Sequence, residues 1–235
     1  MRCSHVLVKV ADLHAAVADF RELGFTVDYA SAERAARHAH IWFAEGPIIE
    51  LLTTPPRAEL LKWPIELALG RGVGTRMTRW ARAGEGFCDV AVVTGGSDLA
   101  GPRRRLRDAG VPIGRPVAWK RTRPDGAVTR FRFAYPRNDR LPFLVTPYDP
   151  PQHPPEVRHP NGVTSLIRVL LDVGATDRPA FDRVIGDSPD FAVTPGETTR
   201  IRAIELAGLT EQLDTRLLHG AAVRPASPTD SRRTS

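Results

Sequence analysis

The chain has 235 residues, of which 42% are hydrophobic, enough to build one large or two small domains around a buried core. Its formal net charge of +6 comes mainly from arginines scattered among acidic residues, a pattern that argues against a nucleic-acid-binding face. Cys3 and Cys88 are too few for a disulfide framework, and no apolar run is long enough to span a bilayer, so we expect a cytoplasmic protein that does not bind membranes.

The first predicted elements are a strand at residues 5–10 and a helix that follows it. Asp12 is the predicted N-cap of this helix, and Gly24 ends it. Its apolar residues share one face at helical spacing: Leu13, Val17 and Phe20. Three further strand candidates follow, at residues 24–30, 36–43 and 47–53. The segment 1–56 therefore has the order βαβββ, which we call the first module.

The same order repeats in residues 85–150, the predicted second module. A strand at 89–94 precedes a helix that Asp98 caps and Gly110 ends. Three strand candidates follow this helix, at residues 115–122, 127–135 and 141–147. A Pro-Asp-Gly turn signal at 124–126 favours a hairpin between two of them.

The remaining segments predict an insertion, a linker, a partial repeat and a tail. Residues 57–84 are helix-compatible, with Trp63 and Trp80 interpreted as core residues or, alternatively, as a lid. Residues 151–162 form a proline-rich linker. A truncated third module is predicted over 163–222, with strands at 165–173 and 199–206 around a helix at 177–186, and a disordered tail over 223–235.

Polar side chains gather on one face of the predicted first-module strands. Because alternate residues of a strand share a face, His5 points away from the apolar face that Val6, Val8 and Val10 form. His38, His40 and Trp42 share one parity on a later strand, and Ile48, Glu50 and Leu52 share another. The polar residues among them are candidates to line a cavity.

Four motifs carry a family resemblance: HVLVKVADL at the start, EGPIIELLT, the RPDG turn followed by LPFLVTP, and HPNG at 159–162. Through them the chain resembles the vicinal oxygen chelate superfamily and, within it, the glyoxalase-like proteins. The resemblance implies an α+β fold in which repeated βαβββ modules form curled mixed sheets around a cavity. It also implies a divalent metal, zinc, iron, manganese or nickel, that activates substrates with two neighbouring oxygens.

The resemblance places His5 and Glu50 at the metal-ligand positions of the first module. The matching second-module positions hold Asp89 and Phe143, and a phenylalanine cannot bind a metal. A site made of His5, Glu50 and either His38 or His40, with His40 preferred, is the predicted substitute, since two imidazoles and a carboxylate suit these metals. The alternative interpretation is that His5 and Glu50 are polar cavity residues that hydrogen-bond a ligand or each other.

Two functions follow as expectations. The first is a metal-dependent lyase, isomerase or dioxygenase in which Glu50 is the catalytic residue, or a ligand beside another base. The second is a metal-free small-molecule-binding or drug-sequestration protein of the kind that confers antibiotic resistance. Either would take a small molecule as its partner, and the sequence leaves homodimerisation open. The remaining cavity candidates are His38, Trp42, Asp89 and Phe143.

Several other polar residues are predicted to be solvated. His153 and His159 lie in the proline-rich linker, where exposure is the default expectation. Arg121, Arg123 and Arg130 flank the Pro-Asp-Gly turn and are interpreted as a charged hairpin tip, with anion binding as the alternative.

Overall fold

The computed structural model describes residues 1–55, 62–70, 72–123, 125–154 and 156–226. Eight strands of the two predicted modules form one curled sheet: β1 Arg2–Lys9, β2 Asp28–Tyr29, β3 His38–Ile41, β4 Ile48–Leu52, β5 Gly86–Val93, β6 Val117–Thr122, β7 Val128–Ala134 and β8 Phe143–Val145. Their order is β2-β3-β4-β1-β5-β8-β7-β6, so each module forms one half. Strands β1 and β4 pair in parallel, β5 and β8 pair in parallel, and β1 and β5 join the halves antiparallel. The predicted repeat is confirmed.

The helices lie where the modules and the insertion require them: α1 Leu13–Glu22, α2 Lys62–Leu69, α3 Val73–Arg82, α4 Ala100–Asp108 and α5 Arg178–Ile185. Asp12 caps α1 as predicted, because its carboxylate accepts hydrogen bonds from the backbone N–H groups of His14 and Ala15. In the second module the N-cap residue is Leu99, and the Asp98 carboxylate accepts from the N–H of Ala100. No helix among the described residues is long and apolar enough to cross a membrane.

A second sheet of four strands follows the linker: β9 Ser165–Gly174, β10 Phe191–Gly196, β11 Arg200–Ala207 and β12 Val223–Pro225. Strand β10 is absent from the sequence prediction. The predicted disordered tail begins too early, because its first residues form β12, which pairs with β11. Residues 227–235 of that tail, 57–61 of the insertion and Pro124 lie outside the described residues.

The two faces of β1 have different neighbours. Val6, Val8 and Val10 belong to a core that includes α1 and the second sheet. On the opposite, concave face of the large sheet, α3 packs Val73 and Trp80 against residues of the second module such as Phe143. The insertion therefore covers the second-module half of the concave face.

Some predicted strands are longer than the observed ones. Of residues 24–30 only Asp28–Tyr29 pairs, with β3, while Phe25 and Val27 are buried in the core instead. These apolar residues pack in the core without belonging to a strand. Sequence periodicity alone does not distinguish such packing from strand pairing.

Candidate functional site

The strand registers relate the two halves of the site. Leu7 is paired with Glu50 between β1 and β4, and Ala91 is paired with Phe143 between β5 and β8. Across the centre of the sheet, Leu7 faces Asp89 and His5 faces Ala91. His5 therefore corresponds to Asp89, and Glu50 to Phe143, by the symmetry of the sheet itself.

A buried carboxylate lies at the centre of the first-module half. Glu50 is 4% exposed, and its Oε2 lies 3.4 Å from His5 Nε2. Its Oε1 lies 2.7 Å from His38 Nδ1 and 3.6 Å from His40 Nε2. Strands β1, β3 and β4 thus bring three imidazoles to one carboxylate, since all four side chains lie on the concave face.

A guanidinium from the other module completes this cluster. The curl of the sheet brings β6 opposite β3, and Arg121 Nη1 lies 2.7 Å from His40 Nε2. The Nη2 of the same side chain donates to Glu50 Oε1 at 3.3 Å. The guanidinium carbon lies over the Phe131 ring, 5.8 Å from its centre, in a cation–π contact. The interpretation of Arg121 as a solvated hairpin residue is wrong.

The protonation states follow from this arrangement. Burial alone raises the pKa of Glu50, but the hydrogen bond from His38, the nearby His40 and the charge of Arg121 hold that pKa well below its ordinary value. Burial, reinforced by Arg121, lowers the pKa of His40 to about 4, and burial also lowers the pKa of His5. Near neutral pH the His40 ring is therefore uncharged and accepts a hydrogen bond from Arg121, while Glu50 and Arg121 balance each other's charge.

The second-module counterpart of His5 is committed to other contacts. Asp89 Oδ2 accepts hydrogen bonds from Arg76 Nη1 at 2.5 Å, Trp80 Nε1 at 2.8 Å and Arg79 Nη2 at 3.0 Å. Phe143, the counterpart of Glu50, packs its ring edge-on against His5 with 5.6 Å between ring centres. Neither residue is arranged as a metal ligand.

The divalent metal that the family resemblance implies does not fit this arrangement. His5, His40 and Glu50 lie together as predicted, yet Arg121 binds the His40 nitrogen and the Glu50 oxygen that a metal would need. Among the described residues, no group of three or more His, Cys, Asp or Glu side chains is placed to hold a metal ion.

Two cavities meet at Trp42, which is 6% exposed. One, of about 490 Å³, extends between β3 and the β6–β7 hairpin and is also lined by His40 and Gln152. The other, of about 340 Å³, includes Gln152, Ile48 and Tyr148 in its wall. The Gln152 side chain is 6% exposed, and its Nε2 has no hydrogen-bond partner in the part of the chain that the structure describes.

Comparison with known proteins identifies the family. The family profile described as "Glyoxalase-like domain" matches residues 3–182. The chain belongs to this glyoxalase-like family. Its fold matches that of a hypothetical protein from Staphylococcus aureus with a TM-score of 0.65 and 12% identity, covering 95% of this chain and 99% of that one. No curated protein matches the sequence.

Two enzymes of known activity are more distant structural neighbours of the glyoxalase-like chain. Methylmalonyl-CoA epimerase from Mycobacterium tuberculosis has a TM-score of 0.38 and 21% identity, covering 62% of this chain and 85% of its own. A variant of homoprotocatechuate 2,3-dioxygenase from B. fuscum has a TM-score of 0.46 and 12% identity, covering 88% of this chain and 56% of its own.

The linker of the glyoxalase-like chain is anchored to the first module. His159 is 7% exposed: its Nδ1 accepts from the Thr26 backbone N–H at 3.0 Å, and its Nε2 lies 2.9 Å from the Trp42 carbonyl oxygen. The predicted exposure of His159 is wrong. His153 is exposed, as predicted, and its ring contacts the Trp42 ring edge-on. These contacts hold the chain around Gln152 against Trp42.

Three residues that matter here were not among the predicted site residues: Arg76, Arg121 and Gln152. Arg121 shares its strand parity with Trp119, so the alternation of β6 indicates that both face the concave side. No comparable signal exists for Arg76 or Gln152. Their positions depend on how the insertion and the linker fold back onto the sheet.

Proposed function

We propose that this glyoxalase-like chain binds a small planar molecule with hydrogen-bond-accepting oxygens in the cavity of about 490 Å³ beside Trp42, without a metal. The observation that carries the proposal is the buried Gln152 Nε2 without a partner among the described residues. A buried N–H group left unpaired costs about 1–3 kcal/mol. A rotation of the Gln152 amide towards the cavity would let an oxygen of a bound molecule accept from it.

The walls of this cavity support a particular kind of ligand. Trp42 supplies a flat apolar surface, and His40, held by Arg121, supplies a polar end. The other charged groups in the wall are of both signs: Arg21, Asp28, Glu33, Arg123 and Asp125. This balance favours a neutral or zwitterionic ligand carrying carbonyl or hydroxyl groups over a multiply charged anion such as a phosphate ester.

The test is a binding screen with Gln152→Leu as the informative variant. A panel of planar amides, hydroxy-ketones and aromatic acids is titrated against the protein, with binding followed by calorimetry. Gln152→Leu removes the unpaired donor, so we expect the ligand-free variant to be more stable than the wild type. We expect its affinity for a hit to fall by about tenfold, the equivalent of one lost hydrogen bond.

Gln212→Leu is the matched control, because Gln212 is exposed. It should change neither ligand affinity nor stability. The binding proposal is wrong if Gln152→Leu binds every hit as tightly as the wild type does, or if no compound in the panel binds at all.

A second candidate function is proton transfer on a small molecule that reaches His38 beside Glu50, an isomerase or lyase type of reaction. Because Glu50 is ionised, its Oε1 accepts from His38 Nδ1, so in the neutral ring Nε2 is the nitrogen that can take up a proton. The His38 side chain is 39% exposed, so a molecule can reach it from solvent, although it does not line either cavity at Trp42. This pair is the arrangement in which a carboxylate orients a general base.

Solvent-deuterium exchange distinguishes the two functions. If His38 is a base, a ligand with an acidic C–H bond exchanges that hydrogen in D₂O in the presence of the protein, as measured by NMR. His38→Gln should lower the exchange rate by about 100-fold or more while binding persists. His14→Gln, at an exposed histidine of α1, is the control. If a ligand binds but its C–H hydrogen does not exchange, the proton-transfer function is wrong and only the binding function stands.

A further inference from the structure

We infer that Arg121 is the built-in cation of the concave-face cluster, and that its removal turns His5, His40 and Glu50 into a divalent-metal site. The wild-type protein should not bind a metal at these residues, because the guanidinium already holds the donor atoms. This inference does not depend on the proposed ligand, since it concerns only the cluster around Glu50.

The contacts of Arg121 are those that a metal would need to replace. Its Nη1 donates to His40 Nε2 at 2.7 Å, and its Nη2 donates to Glu50 Oε1 at 3.3 Å. A guanidinium keeps its charge at any pH that a folded protein tolerates. The lone pair of His40 and one carboxylate oxygen are therefore occupied by a permanent cation.

Two pairs of donor atoms next to Arg121 have nearly the spacing of metal ligands, although the set as it stands with Arg121 bound is not arranged to hold a metal ion. Metal–nitrogen and metal–oxygen bonds of about 2.0–2.2 Å separate neighbouring ligand atoms by about 3–3.6 Å. His5 Nε2 lies 3.4 Å from Glu50 Oε2, and His40 Nε2 lies 3.6 Å from Glu50 Oε1. Two imidazoles and one carboxylate on three adjacent strands suit zinc, manganese or nickel.

Charge balance gives the direction of the effect. With Arg121 in place, the buried carboxylate is neutralised, and the two buried imidazoles are uncharged. Without Arg121 the cluster keeps a carboxylate that is 4% exposed, and a divalent cation becomes its strongest available counter-charge. His38 donates to the same carboxylate oxygen and supplies only part of this compensation.

The experiment titrates Zn²⁺ into the metal-free wild type, Arg121→Ala and Arg121→Gln at neutral pH, with calorimetry and elemental analysis. Both variants should bind one equivalent, about 100-fold more tightly than the wild type. The double variant Arg121→Ala, His40→Ala should lose this gain. Arg123→Ala is the matched control, because Arg123 pairs with Asp125 at the hairpin tip and does not contact Glu50.

Thermal unfolding tests metal binding even if an Arg121 variant is unstable without metal, because bound Zn²⁺ raises the midpoint temperature. Zn²⁺ should raise the midpoint temperature of the Arg121 variants and leave that of the wild type unchanged, even where a variant is only partly folded without metal. The inference is overturned if the wild type binds one equivalent of Zn²⁺ that His5→Ala or Glu50→Ala abolishes. It is equally overturned if neither Arg121 variant is stabilised by Zn²⁺ or binds it.

Discussion

Arg76 and Asp89 form an ion pair in which the guanidinium is completely buried: Arg76 is 0% exposed, and its Nη1 lies 2.5 Å from Asp89 Oδ2. The same guanidinium stacks over Tyr135 and donates to the Leu141 carbonyl oxygen at 2.8 Å. Arg121 and Glu50 form a corresponding buried ion pair in the other half of the sheet. Each module thus has a concave-face carboxylate that an arginine from outside its own strand neutralises.

Removing Arg76 should destabilise the protein strongly. Arg76→Leu leaves the buried Asp89 with Arg79, Trp80 and the Val90 backbone N–H as its described partners, and breaking a buried ion pair in this way costs about 3–5 kcal/mol. The double variant Arg76→Leu, Asp89→Leu should recover most of this loss, because no unpaired charge remains. Urea unfolding measures both. The exposed pair Arg107–Asp108 is the control, and Arg107→Ala should change stability by less than about 0.5 kcal/mol.

Acid should destabilise the fold through His40. Its folded-state pKa is about 4, below the ordinary value of 6.5, so the unfolded chain binds the proton more readily. Stability is therefore complete above about pH 6.5 and falls towards pH 4, by about 3 kcal/mol from this residue. The lowered pKa of His5 acts in the same direction. Below the ordinary pKa of Glu50, protonation of that carboxylate adds a further loss.

Urea unfolding between pH 4 and 8 measures this dependence. His40→Gln, which keeps an acceptor for Arg121, should have a smaller slope between pH 6.5 and 4 than the wild type. An equal slope in both proteins would show that His40 is not the group responsible. His14→Gln, on the exposed side of α1, should keep the wild-type slope.

Gly24 should tolerate alanine less well than Gly126 does. Both have a positive φ, +81° and +83°, so both variants incur the left-handed penalty of about 1–2 kcal/mol. A Cβ at Gly24 would also lie 2.9 Å from the Asn161 backbone nitrogen, whereas nothing lies within 4 Å at Gly126. We expect Gly24→Ala to lose about 1–3 kcal/mol more than Gly126→Ala, as measured by denaturant unfolding. Equal losses would mean that the linker moves aside without cost.

His159 should hold the linker to the first module. Replacing it with alanine leaves the Thr26 N–H and the Trp42 carbonyl without their partner, and we expect a loss of about 2–3 kcal/mol. The amide of Thr26 should exchange with solvent faster, as hydrogen-exchange NMR would detect. His153→Ala, which loses a hydrogen bond with the Phe43 carbonyl and an edge-on contact with the Trp42 ring at an exposed position, should cost less. A protected Thr26 amide in His159→Ala would contradict this role.

Local patterns were sufficient for most of the fold. The helix cap at Asp12, the alternation of Val6, Val8 and Val10, and the repeat of this order near residue 89 depend on neighbours within one element. Such signals survive in a single sequence because capping and strand alternation have short, fixed spacings. Strand alternation also predicts that His5, His40 and Glu50 share one face. In the structure both histidines lie next to the Glu50 carboxylate.

The chemistry of that face was decided by contacts between distant segments. Arg121 lies 71 residues from Glu50 in sequence, and its approach depends on the curl of the whole sheet. The sequence predicts Asp89 as a cavity residue. In the structure, α3 folds back over the sheet, and Arg76, 13 residues away, pairs with Asp89 instead. Gln152 and His159 are buried because the linker returns to Trp42.

The sequence by itself determined the modules, the face on which the polar residues gather and the membership of the glyoxalase-like family, because each follows from local periodicity or from motifs. Only the tertiary structure decided which cation meets the Glu50 carboxylate. Charge neutralisation depends on distances of a few ångströms between side chains that no spacing along the chain specifies.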